Sequence, residues 1–158
     1  MEFNELIASR HSVRKYSSAP VDRSLLEEMV SEAGLAPSSR NSKSSRFIII
    51  EDRETLARMA RMRDHGSGLL EGAAAAIIVL GDTTKTDLWV DNAAISATYL
   101  LLSAENKGLA ACWVHVNGRP QLKDEPEKGS AEDYLRTFIG IPENERPYCV
   151  IALGHPEK

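Results

Sequence analysis

The stretch LWVDNAAISATYLLLSAEN, residues 88–106, decides how the rest of the chain is read. It holds neither proline nor glycine and is rich in alanine and leucine, which lose little side-chain freedom in a helix. Asp87 stands before it as a candidate N-cap, and Gly108 follows at the C′ position, where a left-handed backbone closes a helix. The apolar residues Ala93, Ala94, Ile95, Ala97, Leu100, Leu101, Leu102 and Ala104 run nearly all the way round the helix. A helix apolar on more than one side is buried on more than one side. In a chain of 158 residues that predicts a helix at a subunit interface.

Two apolar runs lie on each side of this helix in the sequence. Before it, Phe47-Ile48-Ile49-Ile50 is mostly β-branched and fits an interior strand, and residues 73–80 fit a second, although four alanines suit a helix as well. After it, residues 111–116 and 148–153 read as a third and a fourth strand. Four apolar strands separated by helical stretches predict a sheet covered on both faces, in an order that the sequence does not give.

The remaining helices are shorter. Phe3, Leu6 and Ile7 make one apolar face that stops near Arg10. A second helix starts at Asp22 as N-cap, with Val21 stapled to Leu26 and a stripe of Leu25, Leu26, Met29, Val30 and Ala33, and Gly34 and Pro37 end it. Asp52 caps a third that runs to about Arg63, and Ser130-x-x-Asp133 reads as a capping box for a helix ending at Gly140. Residues 118–129 form the expected flexible excursion. No internal repeat or boundary divides the chain, so residues 1–158 are expected to form one domain, within the common range of ~100–200 residues.

Composition narrows the functional classes. Apolar residues make up 42% and charged residues 27%, ordinary globular values, and the net charge of −4 argues against a protein that tracks nucleic-acid phosphates with a basic face. Glu2 and Glu5 stand where a secretory leader needs basic residues, and no long apolar run follows, so a cytoplasmic protein without membrane contact is expected. Cys112 and Cys149 lie in apolar runs and form no C-x-x-C pair, so they read as buried thiols. The histidines at 11, 65, 115 and 155 lack metal-ligand spacing, and no metal site is expected. The Rossmann, Walker A, nucleophile-elbow and zincin motifs are absent.

Three stretches retain chemistry. In Arg10-His11-Ser12-Val13-Arg14-Lys15-Tyr16 two guanidinium forks bracket a hydroxyl, a set suited to a phosphate monoester. Read alone, Arg10 could merely complement a helix C-terminus, with Arg14 and Lys15 solvated. Pro37-Ser38-Ser39-Arg40-Asn41-Ser42 offers hydroxyls and an amide, or simply a polar turn. Gly108 to His115 carries Trp113 on a strand, where an indole is more often core than cofactor contact.

In this order the three stretches resemble the FMN-dependent nitroreductase family. Its N-terminal R-x-S-x-R-x-[FY] is Arg10, Ser12, Arg14 and Tyr16 here, and its P-S-S-x-N is Pro37 to Asn41. Its G-L-x-x-x-W is Gly108 to Trp113, and its closing G-[HY]-P is Gly154-His155-Pro156. The resemblance implies an α+β, nitroreductase-like fold, a central mixed sheet of four or more strands flanked by helices, that dimerises through the long helix, with FMN at the interface. Arg10, Ser12 and Arg14 would hold the phosphate and ribityl chain with His11 beside them. Pro37, Ser38, Ser39 and Asn41 would reach the flavin from the partner. Trp113, Val114 and His115 would line the ring's other edge, with a backbone N–H near His115 aimed at N5. It further implies hydride from NADH or NADPH, a small aromatic acceptor such as a nitroaromatic or quinone, and ping-pong turnover, with the flavin rather than a side chain carrying the chemistry. A non-catalytic FMN carrier or redox sensor of the same fold is the alternative. Two departures from larger relatives stand out. Only residues 81–87 link the second strand to the long helix, which implies an open pocket, and Lys158 is the one candidate for the basic residues a longer tail would supply.

Overall fold

The apolar runs pair into one sheet because their side chains alternate between two cores. The computed structural model describes residues 1–158. Its strands are β1 (Ser45–Ile50), β2 (Ala75–Asp82), β3 (Ala110–His115) and β4 (Glu145–Gly154), in the order β1-β2-β4-β3. Every pairing is antiparallel, so the mixed sheet that the resemblance implied is corrected. The connection from β1 to β2 leaves and returns at the same end of the sheet, with Ile50 opposite Ala76. Its helix therefore folds back on itself instead of crossing the sheet, as a parallel pair would require.

One face carries Ile78, Leu80 and Val150 against Leu56, Met59, Met62, Leu70 and Leu135. The opposite face carries Ile77, Val79 and Ile151 against Leu26, Met29, Ala93, Ala97 and Leu100. This accounts for the unbroken apolar runs. It also corrects the placement of Phe47–Ile50, which lies in an edge strand and is only half-buried. Phe47 and Ile49 pack on one core and Ile48 and Ile50 on the other, so the run records coverage of both faces rather than a central position.

The helices are α1 (Phe3–Ser9), α2 (Arg23–Gly34), α3 (Arg53–Met59), α4 (Trp89–Asn106) and α5 (Ala131–Arg136). The long helix α4 buries Ala93, Ala97, Leu100 and Ala104 at helical spacing and closes at Gly108 with φ 72°. Leu88, not Asp87, stands at its N-cap, and the Leu88 N–H donates to Thr86 Oγ1 at 3.1 Å. Asp22 occupies the cap of α2 without a side-chain bond, whereas Asp52 accepts from the Thr55 N–H at 2.8 Å and Ser130 from Asp133 at 3.0 Å. Helices α3 and α5 end at Met59 and Arg136, short of the expected Arg63 and Gly140, because the chain turns there to seat Met62 and Ile139 in the core. Residues 118–129 are tied down: Gln121 bonds Gly129 and Asp64 through the main chain, and Pro120 bridges Ser130. The apolar face of α1 does not find the core, with Phe3 66% and Ile7 50% exposed.

Candidate active site

The site grows from the free edge of β3. Alternate residues of an edge strand point their N–H and C=O groups toward the neighbouring strand and away from it. The Ala111 carbonyl accepts from Val13 N–H at 2.9 Å on the outer side, while Val116 N–H bonds Tyr148 on β4. By this alternation the main-chain groups of Trp113 and His115 face the free edge. Arg63 Nη1 confirms the direction by donating to the His115 carbonyl at 3.2 Å.

Residues 10–16 lie along this edge because both ends of the segment are fastened. Arg10 N–H closes α1 on the Leu6 carbonyl at 3.2 Å, and His11 Nδ1 donates to the Ser9 carbonyl at 2.9 Å. At the far end Tyr16 bridges Pro156, Ser17 N–H bonds the His155 carbonyl at 2.9 Å, and the Tyr16 hydroxyl returns to the Val13 carbonyl at 2.7 Å. Gly154 permits the approach, since a Cβ there would lie 2.7 Å from the Tyr16 Cβ. The Gly-His-Pro motif thus anchors the N-terminal segment. Burial pushes the Tyr16 phenol and the Cys112 thiol up, the latter against the opposing pull of Arg14 and a hydrogen bond with Ser12. The thiol stays protonated at neutral pH.

A cleft of about 480 Å³ opens beside the edge, lined among others by Arg14, Arg63, Leu69, Cys112, Trp113 and His115. Trp113 Nε1 donates to His115 Nδ1 at 3.1 Å, with the rings stacked at 17° and Tyr148 edge-on to both. That bond requires an unprotonated Nδ1, so the imidazole proton resides on Nε2. Burial first, then Arg119 and Arg63, hold the His115 pKa below its ordinary value, and the ring is neutral at neutral pH.

The second cluster sits on residues 37–44. Asn92, from the first turns of α4 and only 3% exposed, organises it. Its Oδ1 accepts from Ser39 N–H at 3.0 Å, and its Nδ2 reaches the hydroxyls of Ser39, Ser42 and Ser44 at 3.3, 3.2 and 2.9 Å. Ser38 Oγ accepts from Lys43 N–H at 3.0 Å. These bonds hold Arg40, Asn41 and Lys43 at φ 52°, 54° and 48°, a left-handed backbone that disfavours residues with a Cβ. Pro37 and Asn41 are exposed.

The structure therefore joins Ser12, Arg14, Trp113 and His115 at one edge, and Ser38, Ser39 and Asn41 at the other. Three strand spacings, ~14 Å, separate the two edges, and no hydrogen bond links the two clusters within the chain. Arg10 is half-buried beside the first cluster and His11 is exposed, and neither lines the cleft. The Val114 side chain turns into the core with 1% exposure, which corrects the expectation that it lines the ligand edge: on a strand it must face opposite Trp113 and His115. Lys158 lies in a separate cleft with Ser17 and His155, away from Arg10 and Arg14. Sequence reasoning missed two residues. Asn92 was detectable as an amide inside an otherwise apolar helix. Arg63 carried no signal, because only the turn held by buried Ser67, whose hydroxyl donates to the Ala60 carbonyl at 2.7 Å, brings it to the cleft.

Arg10, Arg14, Arg63 and Arg119 make no ion pair with any carboxylate. No group of three or more His, Cys, Asp or Glu is placed to hold a metal ion, and no helix is long and apolar enough to cross a membrane.

Fold and site together define an α+β protein that sets unpaired guanidinium groups against the exposed main chain of a sheet edge. The model of the Nitroreductase family matches residues 7–65 and 61–155, and the chain belongs to that family. It is 32% identical over 157 residues to a protein of Archaeoglobus fulgidus provisionally named NADH dehydrogenase/NAD(P)H nitroreductase, covering 97% of this chain and 84% of that one. The structure of an FMN-dependent nitroreductase from Clostridium difficile superposes with a TM-score of 0.90 at 30% identity, over 97% of this chain and 87% of that one. A provisionally named nitroreductase from Desulfovibrio desulfuricans, solved in complex with FMN, shares the fold with a TM-score of 0.80 at 21% identity, over 98% and 86% of the two chains.

Proposed function

We propose that residues 1–158 form one FMN-binding domain of a homodimeric oxidoreductase that takes hydride from NADH or NADPH, releases NAD(P)+, and passes the electrons to a small aromatic acceptor, such as a nitroaromatic or a quinone. The observation that carries this reading is the pairing of Arg14, a cation without a carboxylate partner, with the outward-facing main chain of Trp113 and His115 in one cleft. A phosphate-bearing planar ligand fits that donor set, since guanidinium forks match phosphate oxygens and a strand edge matches ring heteroatoms. Bound there, FMN would supply reversible hydride acceptance at N5.

The chain's own residues do the holding. Arg10, Ser12 and Arg14, with His11 beside them, bind the phosphate and ribityl chain. The outward N–H of His115 would serve as the donor toward the reactive edge of the flavin, and fixed donors of this kind stabilise charge that develops during a reaction without reorganising. Trp113 walls the ring edge, while Val114 between it and His115 turns its main-chain groups to β4 and its side chain to the core, and so supports the edge without reaching the ligand. Pro37, Ser38, Ser39 and Asn41 serve the site of the second subunit, because within one chain they lie across the sheet from Arg14. One pocket shared by donor and acceptor entails ping-pong turnover.

An absorbance spectrum of the purified protein, followed by anaerobic mixing with NADH and NADPH, tests this. Flavin bands from released FMN and their bleaching by a nicotinamide are the expected results. A colourless protein that also fails to take up added FMN would overturn the reading, and a yellow protein that neither donor bleaches would be a carrier.

A further inference from the structure

Beside the main cleft lies a smaller one of about 120 Å³, lined by Arg63, Asp64, His65, Arg119, Pro120 and Lys123. Arg63 lines both clefts, so the two are neighbours across its side chain. Two segments distant in sequence build the small cleft, and main-chain bonds clasp them together. Asp64 N–H donates to the Gln121 carbonyl at 2.8 Å, and Lys123 N–H donates to the Asp64 carboxylate at 3.1 Å. The main chain of Arg119, an exposed residue, is fixed in turn. Its N–H closes a β-turn on Val116 at 3.0 Å with Gly118 at φ 74°, and its carbonyl accepts from Ala131 at 2.9 Å.

The charge arrangement is unusual for so small a space. Asp64 is the sole acid in the lining, and its carboxylate is engaged by Lys123 N–H and by His65 Nδ1 at 3.1 Å. Arg63 and Arg119 form no ion pair with a carboxylate; burial and then the nearby Arg119 hold the Arg63 pKa down against the pull of Asp64, and both arginines act on His115. The lining holds Arg63, Arg119 and Lys123 against the single carboxylate of Asp64, and this excess of positive charge favours an anion that spans the two guanidinium groups. The Arg63 side chain is already positioned, because it donates to the His115 carbonyl.

We propose that Arg63 and Arg119 form an oxyanion clamp at the mouth of the main cleft that selects substrates carrying a carboxylate or phosphate. This inference rests on the function proposed above and names the substrate class for that same site. The clamp lies next to the His115 main chain, so a substrate anchored by its anion would place its reactive part along the β3 edge. Two sources present this chemistry: a carboxylate on the electron acceptor, or the 2′-phosphate that distinguishes NADPH from NADH.

The test compares the flavin-loaded wild type with Arg119→Gln and Arg119→Glu. One arm measures kcat/KM for 4-nitrobenzoate against nitrobenzene, and the other for NADPH against NADH. Loss of a charge-assisted bond should lower the ratio by about tenfold to a hundredfold in the arm whose anion occupies the clamp, further for Glu than for Gln, with the uncharged member of the pair little changed. A second measurement needs no turnover: titration of the His115 ring by NMR with 4-nitrobenzoate and with 2′,5′-ADP. Anion binding offsets the two guanidinium charges, so the His115 pKa should rise in wild type and stay fixed in Arg119→Gln. Unchanged ratios in both arms together with an unmoved His115 would overturn the clamp and leave the oxidoreductase reading intact. If no donor reduces the flavin, that reading fails and the NMR titration alone decides the clamp.

Discussion

Arg14 is the residue at which a phosphate site and a solvated basic surface diverge. It makes no ion pair and lines the cleft at the β3 edge. A solvated arginine would tolerate Arg14→Ala with less than ~0.5 kcal/mol of change and no effect on flavin. As a phosphate ligand it contributes a charge-assisted bond of about 1.5–3 kcal/mol, so FMN affinity should fall about tenfold to a hundredfold. Riboflavin lacks the phosphate and should bind the variant as it binds wild type, which fluorescence titration with both flavins would show. His115 provides a test with a defined sign. Burial and two arginines hold its folded pKa below the ordinary 6.5, so below that pH the unfolded chain takes up a proton that the folded chain refuses. Its contribution is therefore intact above about pH 6.5 and is lost as the pH falls through the lower folded value. His115→Gln keeps an acceptor for Trp113 and removes the titration. Urea midpoints at pH 7.5 and 5.5 should differ less in the variant than in wild type.

Among the elements, β3 and the segment beside it show what a motif read from the sequence left open. The match to Gly154-His155-Pro156 was legible as a pattern, but its task was not. In the structure the glycine lets Tyr16 cross the end of β4, and His155 and Pro156 bind the main chain of residues 16 and 17. Gly154→Ala places a methyl 2.7 Å from the Tyr16 Cβ, and relief requires moving the segment that bears Arg14. The expected cost is about 1–3 kcal/mol of stability, accompanied by weaker flavin retention. Gly34→Ala meets nothing within 4 Å and serves as the control. Thermal melts and flavin content of the two variants would check this, and equal behaviour would remove Gly154 from the argument.

For the whole molecule the open question is what covers α1 and the outer face of α4. Phe3 and Ile7 of α1 are exposed, as are Ile95 at 37% and Tyr99 at 38% on α4, and Met1, Phe3, Leu6, Leu35, Tyr99 and Leu102 line an apolar cleft between them. The two halves of the candidate site lie on opposite edges of one sheet. A second copy would cover the apolar face and unite the halves, with Ser39 and Asn41 of each chain serving the other's Arg14. Ile95→Asp should therefore yield monomers and release the flavin together, measured by sedimentation and absorbance. A monomer that keeps its flavin would contradict the shared site.

Local chemistry marked most of what the sequence determined. The 88–106 helix followed from composition and from Gly108, four strands followed from four apolar runs, and the basic, serine-rich and tryptophan-bearing segments were found where cleft and cluster now lie. The tertiary structure decided what depends on which chain segments meet. β1 lies at an edge although its run reads as interior, because apolar character reports covered faces and is silent about neighbours in the sheet. The strand directions depend on how a connection travels, which no residue encodes locally. Val114 turns inward while its neighbours turn outward because strand parity is fixed only once pairing is fixed. Arg63 and Arg119 approach each other through hydrogen bonds between segments more than fifty residues apart, a relation that exists only in the folded chain.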